Sequence, residues 1–352
     1  MYTTFKNSSI AVVVMCSMLF VLPACKNSTS ETKTNQTYYQ PIDTGVKTGG
    51  IKVIPVHTTK GTLKIWTKQM GNNPTIKVLL LSGGPGSSHE YFECLENFFP
   101  EKNIEFIYYD QSGTGNSDIP ADTSVYSLQN SVEEVEQVRK ALHLDNSNFY
   151  LLGHSWGGIV ALEYALKYQQ NLKSVIISDM MCSADDYNKY AKDVLAKQMD
   201  PKVLDTLRTI EERKDFSNPK YMELLMTNYY AKHICRLPVW PEPLTRSFNK
   251  INQKFYTIMQ GPSEFGLSGK LTGWNRKPDL KKITIPALTI GARYDTMDPE
   301  HMKWMATEMK NGSFLYCPNG SHMCLYDDQK IYMQGLIRYI EAIDKGEKKV
   351  SL

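Results

Sequence analysis

Gly153-His154-Ser155-Trp156-Gly157 places a serine between two glycines, each two positions away. Such a pentapeptide recurs by chance, so its flanks decide what it means. An apolar stretch, Asn148 to Leu152, precedes it, and a segment with helical spacing, Gly157 to Lys167, follows it. Strand, Gly-x-Ser-x-Gly and helix together make a nucleophile elbow, a tight turn that exposes a serine hydroxyl at a helix N-terminus. A hydroxyl is a weak nucleophile at neutral pH unless a neighbouring base takes its proton. That base is expected to be a histidine oriented by a carboxylate, giving acyl transfer through a covalent intermediate.

With an elbow of this kind the chain order is Ser, then Asp or Glu, then His. Asp295 follows the apolar run Ala287 to Ile290, in Gly291-Ala292-Arg293-Tyr294-Asp295. His322 follows the run ending at Tyr316, in Gly320-Ser321-His322. Both lie where strands end, which is where open α/β sheets place their sites. Asp298 precedes Pro299 and reads as a helix cap. Asp179, which ends an earlier run, is the rival acid. His154 is expected to be structural, and His57, His89, His143, His233 and His301 are expected at the surface or in packing. The oxyanion of an acyl-transfer intermediate needs backbone N–H donors. One is expected from Trp156 and one from Gly84 in Gly83-Gly84-Pro85-Gly86, where glycines permit close approach of the backbone. No Cys/His cluster has zinc spacing, so neither a metal nor an organic cofactor is implied.

The elements that would hold these residues alternate. Ile51 to Val56 and Thr62 to Lys68 read as an antiparallel hairpin. Lys77 to Ser82, Ile104 to Tyr109, Asn148 to Leu152, Lys173 to Ser178, Ala287 to Ile290 and Gly312 to Tyr316 read as strands, with helices over Leu128 to Leu142, Gly157 to Lys167 and Ile331 to Ile343. This alternation predicts an α/β protein with a doubly wound, mostly parallel sheet. Residues 183–277 are amphipathic, rich in aromatic residues and without a convincing strand. They read as a helical lid inserted between the two parts of the core, residues 46–182 and 278–352.

The chain has 352 residues and a formal net charge of +3, with no long basic run. Nothing there points to nucleic acid. At the N-terminus, Lys6 and the apolar stretch Ile10 to Leu22 read as a signal peptide over residues 1–24. Leu22-Pro23-Ala24-Cys25 resembles a bacterial lipobox, in which Cys25 is lipidated. Residues 25–45, rich in Ser, Thr, Asn and Lys, read as a disordered tether. The expectation is an exported protein anchored by lipid to a bacterial membrane, periplasmic or surface-facing, without a transmembrane helix. With Cys16 leaving in the signal peptide and Cys25 lipidated, the remaining cysteines, Cys94, Cys182, Cys235, Cys317 and Cys324, are odd in number. They are expected as buried free thiols, with Cys317–Cys324 the one bridge considered.

Six segments together resemble the proline iminopeptidase family, α/β-hydrolase serine aminopeptidases, and most of all its tricorn-interacting-factor branch. They are Gly83 to Gly86, Asp110 to Ser117, the elbow, Gly261-Pro262-Ser263-Glu264-Phe265, Gly291 to Asp295 and Ser321-His322-Met323. The resemblance covers roughly residues 50–343. It implies release of an N-terminal proline, or another small apolar residue, from short peptides with a free N-terminus, without cofactor. It also implies that Glu264 receives the substrate amine. Glu242 is a second anion candidate, and Phe265, Tyr229, Tyr230 and Trp240 are candidate pocket walls. Two positions depart from the family pattern: Ser82 stands where a histidine is usual, and Thr296 where some relatives carry a second amine-binding glutamate. The alternatives are an amino-acid amidase or esterase on the same triad, and a catalytically silent binding lipoprotein. An aspartate-nucleophile dehalogenase or epoxide hydrolase is disfavoured because the elbow residue is Ser155.

Overall fold

The computed structural model describes residues 48–352. The proposed signal peptide, Cys25 and the tether lie outside the described residues. Eight strands form one sheet in the order β1-β2-β4-β3-β5-β6-β7-β8. Strands β1 (Ile51–Thr58) and β2 (Gly61–Met70) make the expected hairpin, and β2 also runs antiparallel to β4 (Glu105–Tyr109). From there every pairing is parallel, through β3 (Lys77–Leu81), β5 (Phe149–His154), β6 (Ser174–Ser178), β7 (Pro286–Ala292) and β8 (Asn311–Cys317).

Parallel strands are buried on both faces, so their side chains read as unbroken apolar runs. Both faces are covered here. Leu79, Leu81, Ile107, Leu151, Val175 and Ile177 pack on one side with α1 (Leu128–Ala141), α2 (Trp156–Tyr168) and α9 (Pro299–Glu308). Val78, Leu80, Phe106, Leu152, Ile176 and Leu288 alternate to the other side, against α10 (Gln329–Asp344) and lid residues.

Between β6 and β7 the chain leaves the sheet through α3 (Ala184–Tyr190), α4 (Pro201–Glu212), α5 (Pro219–Leu225), α6 (Ala231–His233), α7 (Glu242–Asn249) and α8 (Gln253–Met259). The two ends of this excursion are clasped together. Ser183 bridges Asn275, Ala184 N–H donates to the Trp274 carbonyl (2.8 Å), and Arg276 N–H donates to the Cys182 carbonyl (2.8 Å). Arg246 of α7 ties the lid to the core through Glu90 (3.0 Å) and Glu93 (2.8 Å). The five cysteines beyond Cys25 are buried free thiols, as the odd count suggested.

One ion pair sits inside the sheet. Lys77 and Glu105 face each other across β3 and β4 at 2.7 Å, with the glutamate side chain fully buried. Removing one partner of such a pair leaves an uncompensated charge. We therefore expect Lys77→Met to lower stability in denaturant unfolding by about 3 kcal/mol. Adding Glu105→Gln should recover much of that loss, because Gln keeps an acceptor for the Asn73 N–H that Glu105 now holds at 2.9 Å.

Candidate active site

The serine of the elbow adopts φ 55° and ψ −124°, immediately before α2. A left-handed backbone at a residue with a side chain costs roughly 1–3 kcal/mol and persists only where its surroundings enforce it. Here its neighbours do. A Cβ on Gly153 would lie 2.0 Å from the Gly157 carbonyl oxygen, and one on Gly157 would lie 2.1 Å from the Leu81 carbonyl oxygen. Only glycine lets the helix start this close to β3 and β5. Ser155 N–H donates to the Ser178 carbonyl (2.9 Å), which locks the turn to β6.

Asp295 and His322 lie on the loops after β7 and β8, adjacent strands, so the sheet brings them together across 26 intervening residues. His322 Nδ1 is 2.7 Å from Asp295 Oδ1, and both residues are buried. Since Asp295 accepts at Nδ1, Nε2 is the nitrogen left to receive a proton. Burial pulls the imidazole pKa down. The charge and hydrogen bond of Asp295, helped by the charge of Glu264, outweigh it and leave the His322 pKa above its ordinary value. Ser155 and His322 line one cavity. Among the described residues, no hydrogen bond joins their side chains. Hydrogen bonds between a nucleophile and its base are often loose without substrate and tighten in the complex.

Two loops pair to hold His322. Its N–H donates to the His233 carbonyl (2.9 Å), and the N–H of Met323 to the Ile234 carbonyl (2.8 Å). The His233 ring then reaches back to the Tyr294 carbonyl through Nδ1 (2.8 Å). A residue expected only at the surface or in packing thus links the lid to both triad loops.

His154 is structural, and its role is specific. Nε2–H donates to the His322 carbonyl (2.8 Å), leaving Nδ1 to accept from the Tyr91 hydroxyl (3.2 Å). Tyr91 in turn accepts from the Gly83 N–H (2.7 Å). Burial, with the His322 charge adding to it, pulls the His154 pKa down to about 3, so it stays neutral. One chain of hydrogen bonds therefore joins the glycine loop, the elbow and the histidine loop.

In the glycine loop, Gly84 has φ 104° and lines the cavity beside Ser155. Among the described residues its N–H has no acceptor, because the neighbouring Gly83 N–H takes Tyr91. Trp156 opens α2, so its N–H has no partner within the helix. Ser82 does the anchoring through its hydroxyl, which donates to the Ser87 carbonyl (2.8 Å). Gln111 adds a brace that sequence reading missed. Its side chain donates to the Ser82 carbonyl (3.0 Å) and accepts from Trp156 Nε1 (2.9 Å). The rest of that motif closes a turn. Asp110 accepts from His89 and Asn116, and a Cβ on Gly115 would meet its carboxylate at 2.2 Å.

Glu264 is buried and opens on the same cavity. Tyrosines hold it. Tyr256 donates to Oε1 (2.6 Å), Tyr187 to its carbonyl (2.7 Å), and its N–H donates to the Tyr230 hydroxyl (3.1 Å). Burial pushes its pKa up. The positive charge His322 would carry and the tyrosine hydrogen bonds offset this only in part. Glu242 is a correction. It stays outside the cavity, its side chain is 74% exposed, and it pairs with Arg246 one helical turn on (2.9 Å). At helix spacing i,i+4 that pairing needs no site to explain it. Of the aromatic residues expected as walls, Tyr230 lines the cavity. Tyr229 and Phe265 pack on each other (5.0 Å between centroids), and Trp240 packs on Phe248 (5.3 Å). Asp298 caps α9 by accepting from the Glu300 N–H (3.0 Å). Thr296 turns its hydroxyl to Asp295 (3.2 Å).

These features define an α/β-hydrolase, and the alpha/beta hydrolase fold family matches residues 77–329. Two proteins named proline iminopeptidase are each 54% identical to the chain. The one from Chitinophaga pinensis aligns over 84% of this chain and 99% of its own length. The one from Flavobacterium johnsoniae aligns over 85% and 100%. A solved proline iminopeptidase structure from Mycobacterium smegmatis shares the fold, with a TM-score of 0.74 at 24% identity over 84% of this chain and 99% of its own. The chain belongs to the proline iminopeptidase family.

A Cβ on Gly83 would press on Ser155 Cβ at 2.9 Å while its backbone remains ordinary. We expect Gly83→Ala to fold yet slow labelling of Ser155 by a serine-directed phosphonate by about 100-fold. Labelling at the parent rate would show that the serine tolerates displacement.

Proposed function

We propose that this protein is a serine aminopeptidase that releases N-terminal proline from short peptides through an acyl-enzyme. The observation that carries it is a buried carboxylate, Glu264, opening on the same cavity as Ser155 and His322. A triad alone serves any ester or amide. A fixed anion beside it selects a substrate with a cationic amine near the scissile carbonyl. The other cavity walls include Tyr230, Ile234, Phe248, Ile251 and Met222, an apolar surface suited to a pyrrolidine ring. With Thr296 turned to the triad, Glu264 is the only carboxylate lining that cavity among the described residues.

Ser155 attacks the carbonyl of the first residue, and His322 Nε2 takes the serine proton. The N–H groups of Trp156 and Gly84 receive the developing oxyanion. His322 then protonates the leaving amine, with Asp295 holding the imidazole in the required tautomer. Water attacks the acyl-enzyme by the same route in reverse, releasing proline.

A panel of Pro-, Ala- and Leu-arylamides beside short acyl esters tests this. We expect preference for the prolyl arylamide, and loss of turnover in Ser155→Ala with the fold retained. Glu264→Gln should cut kcat/KM on the arylamide by about 100-fold, the worth of one charge-assisted contact, while ester hydrolysis falls much less. Equal losses on both would remove the amine-anchor role. The pH dependence follows from the two raised pKa values. Neutral His322 and ionised Glu264 are the working forms. Ester and peptide turnover should both fall as pH drops through the His322 pKa, above 6.5, while KM for the peptide alone rises further as Glu264 takes up its proton, above 4.5.

We further propose export and lipidation at Cys25, on the strength of the Leu22-Pro23-Ala24-Cys25 segment after an apolar run. Metabolic labelling with a radioactive fatty acid should mark the protein and be lost in Cys25→Ser. Equal labelling of both would exclude this anchor.

A further inference from the structure

We propose that Asp179 is a positioning residue for the triad, a neutral carboxylic acid that donates its proton to Oδ2 of Asp295. This rests on the reading of Asp295 and His322 as the catalytic relay. Asp295 spends one oxygen on His322 and Thr296, while its Oδ2 is buried with no hydrogen-bond partner among the described residues. A buried acceptor left unpaired costs about 1–3 kcal/mol, more when charged. The sheet supplies a neighbour. Asp179 directly follows β6, Asp295 follows the adjacent β7, and Asp179 N–H donates to the Ile290 carbonyl (2.9 Å). The Asp179 backbone is left-handed, φ 53°, which a residue with a side chain adopts only under constraint.

The surroundings of Asp179 offer no cation. Ser178 donates its hydroxyl at 2.6 Å, and the Cys324 thiol lies 3.3 Å away. Ser178 also meets the Tyr332 hydroxyl (3.2 Å), and Cys317, Tyr91 and Tyr332 are further titratable groups close to Asp179. His154 Nε2 is 3.8 Å away, but its proton is committed to the His322 carbonyl. Among the described residues no lysine or arginine pairs with Asp179. Like charges side by side in such a place repel, which favours the neutral form of Asp179. Burial, then the charge of Asp295, pushes the Asp179 pKa well above the carboxylate range. Asp179 is therefore the one that keeps the proton. As an acid it satisfies Oδ2 and fixes how the carboxylate faces His322, without adding charge beside the imidazole.

The test compares Asp179→Asn, which keeps a neutral donor, with Asp179→Ala, which does not. Asn should retain most of kcat on the prolyl arylamide and leave the acid limb of the kcat/KM profile in place. Ala should lower kcat about 10-fold or more with little change in KM, and should shift the downfield proton NMR signal of His322 Nδ1–H. If Asp179 were ionised, removing its charge in Asn would lower the acid limb by about one pH unit, which would overturn the proposal. A fall in Asn as deep as that in Ala would also overturn it. An infrared measurement decides the matter even if Ala does not fold, and independently of catalysis. The carbonyl stretch of a protonated carboxyl group should be present in the parent at neutral pH and lost in Asp179→Asn. Identical spectra would sink the proposal, while a parent enzyme that fails to cleave the prolyl arylamide would instead sink the relay reading on which it rests.

Discussion

Everything at this site depends on a serine backbone that its own chain would not choose. Ser155 sits at φ 55° because α2 must begin within touching distance of β3 and β5. The strain is sustained by the whole sheet, since Ser155 N–H is tied to β6 and the Gly157 position presses on Leu81. The apolar layers on both faces are thus more than a source of stability. They fix three loops from neighbouring strands to within a hydrogen bond of one another, and the chemistry needs that precision.

Much of this was legible in the residues. The strands were visible as apolar runs stopped by glycine or polar turns, and the order Ser155, Asp295, His322 follows from which runs end near which acids and imidazoles. The helical insertion was visible as a change of period after Cys182. Relations between distant side chains were not legible. Gln111 bracing Trp156, His233 bridging Tyr294 and the His322 loop, and Tyr91 linking Gly83 to His154 join segments whose separation in sequence carries no local signal. Glu242 differs, because its partner is local. A carboxylate two residues after a tryptophan in a lid resembles a site, but Arg246, four positions on in the same helix, claims it.

The electrostatics show economy. Ser155, His322 and Glu264 share one cavity in which Glu264 is the only carboxylate among the described residues, and the buried histidine beside them is kept neutral by desolvation. A tyrosine cluster takes the place of a second carboxylate around Glu264, supplying hydrogen bonds without charge.

The clasp between Ser183 and Asn275 has a consequence for how this family diversifies. Because the excursion departs and returns through hydrogen-bonded neighbours, the sheet experiences it as a closed ring. Lengthening or exchanging the segment beyond the clasp changes the chain entropy by only about 0.6 kcal/mol for each doubling of its length. The lid is thereby an interchangeable cassette. Selection can rebuild the chamber over the nucleophile, and with it the choice of substrate, while the machinery beneath stays as it is.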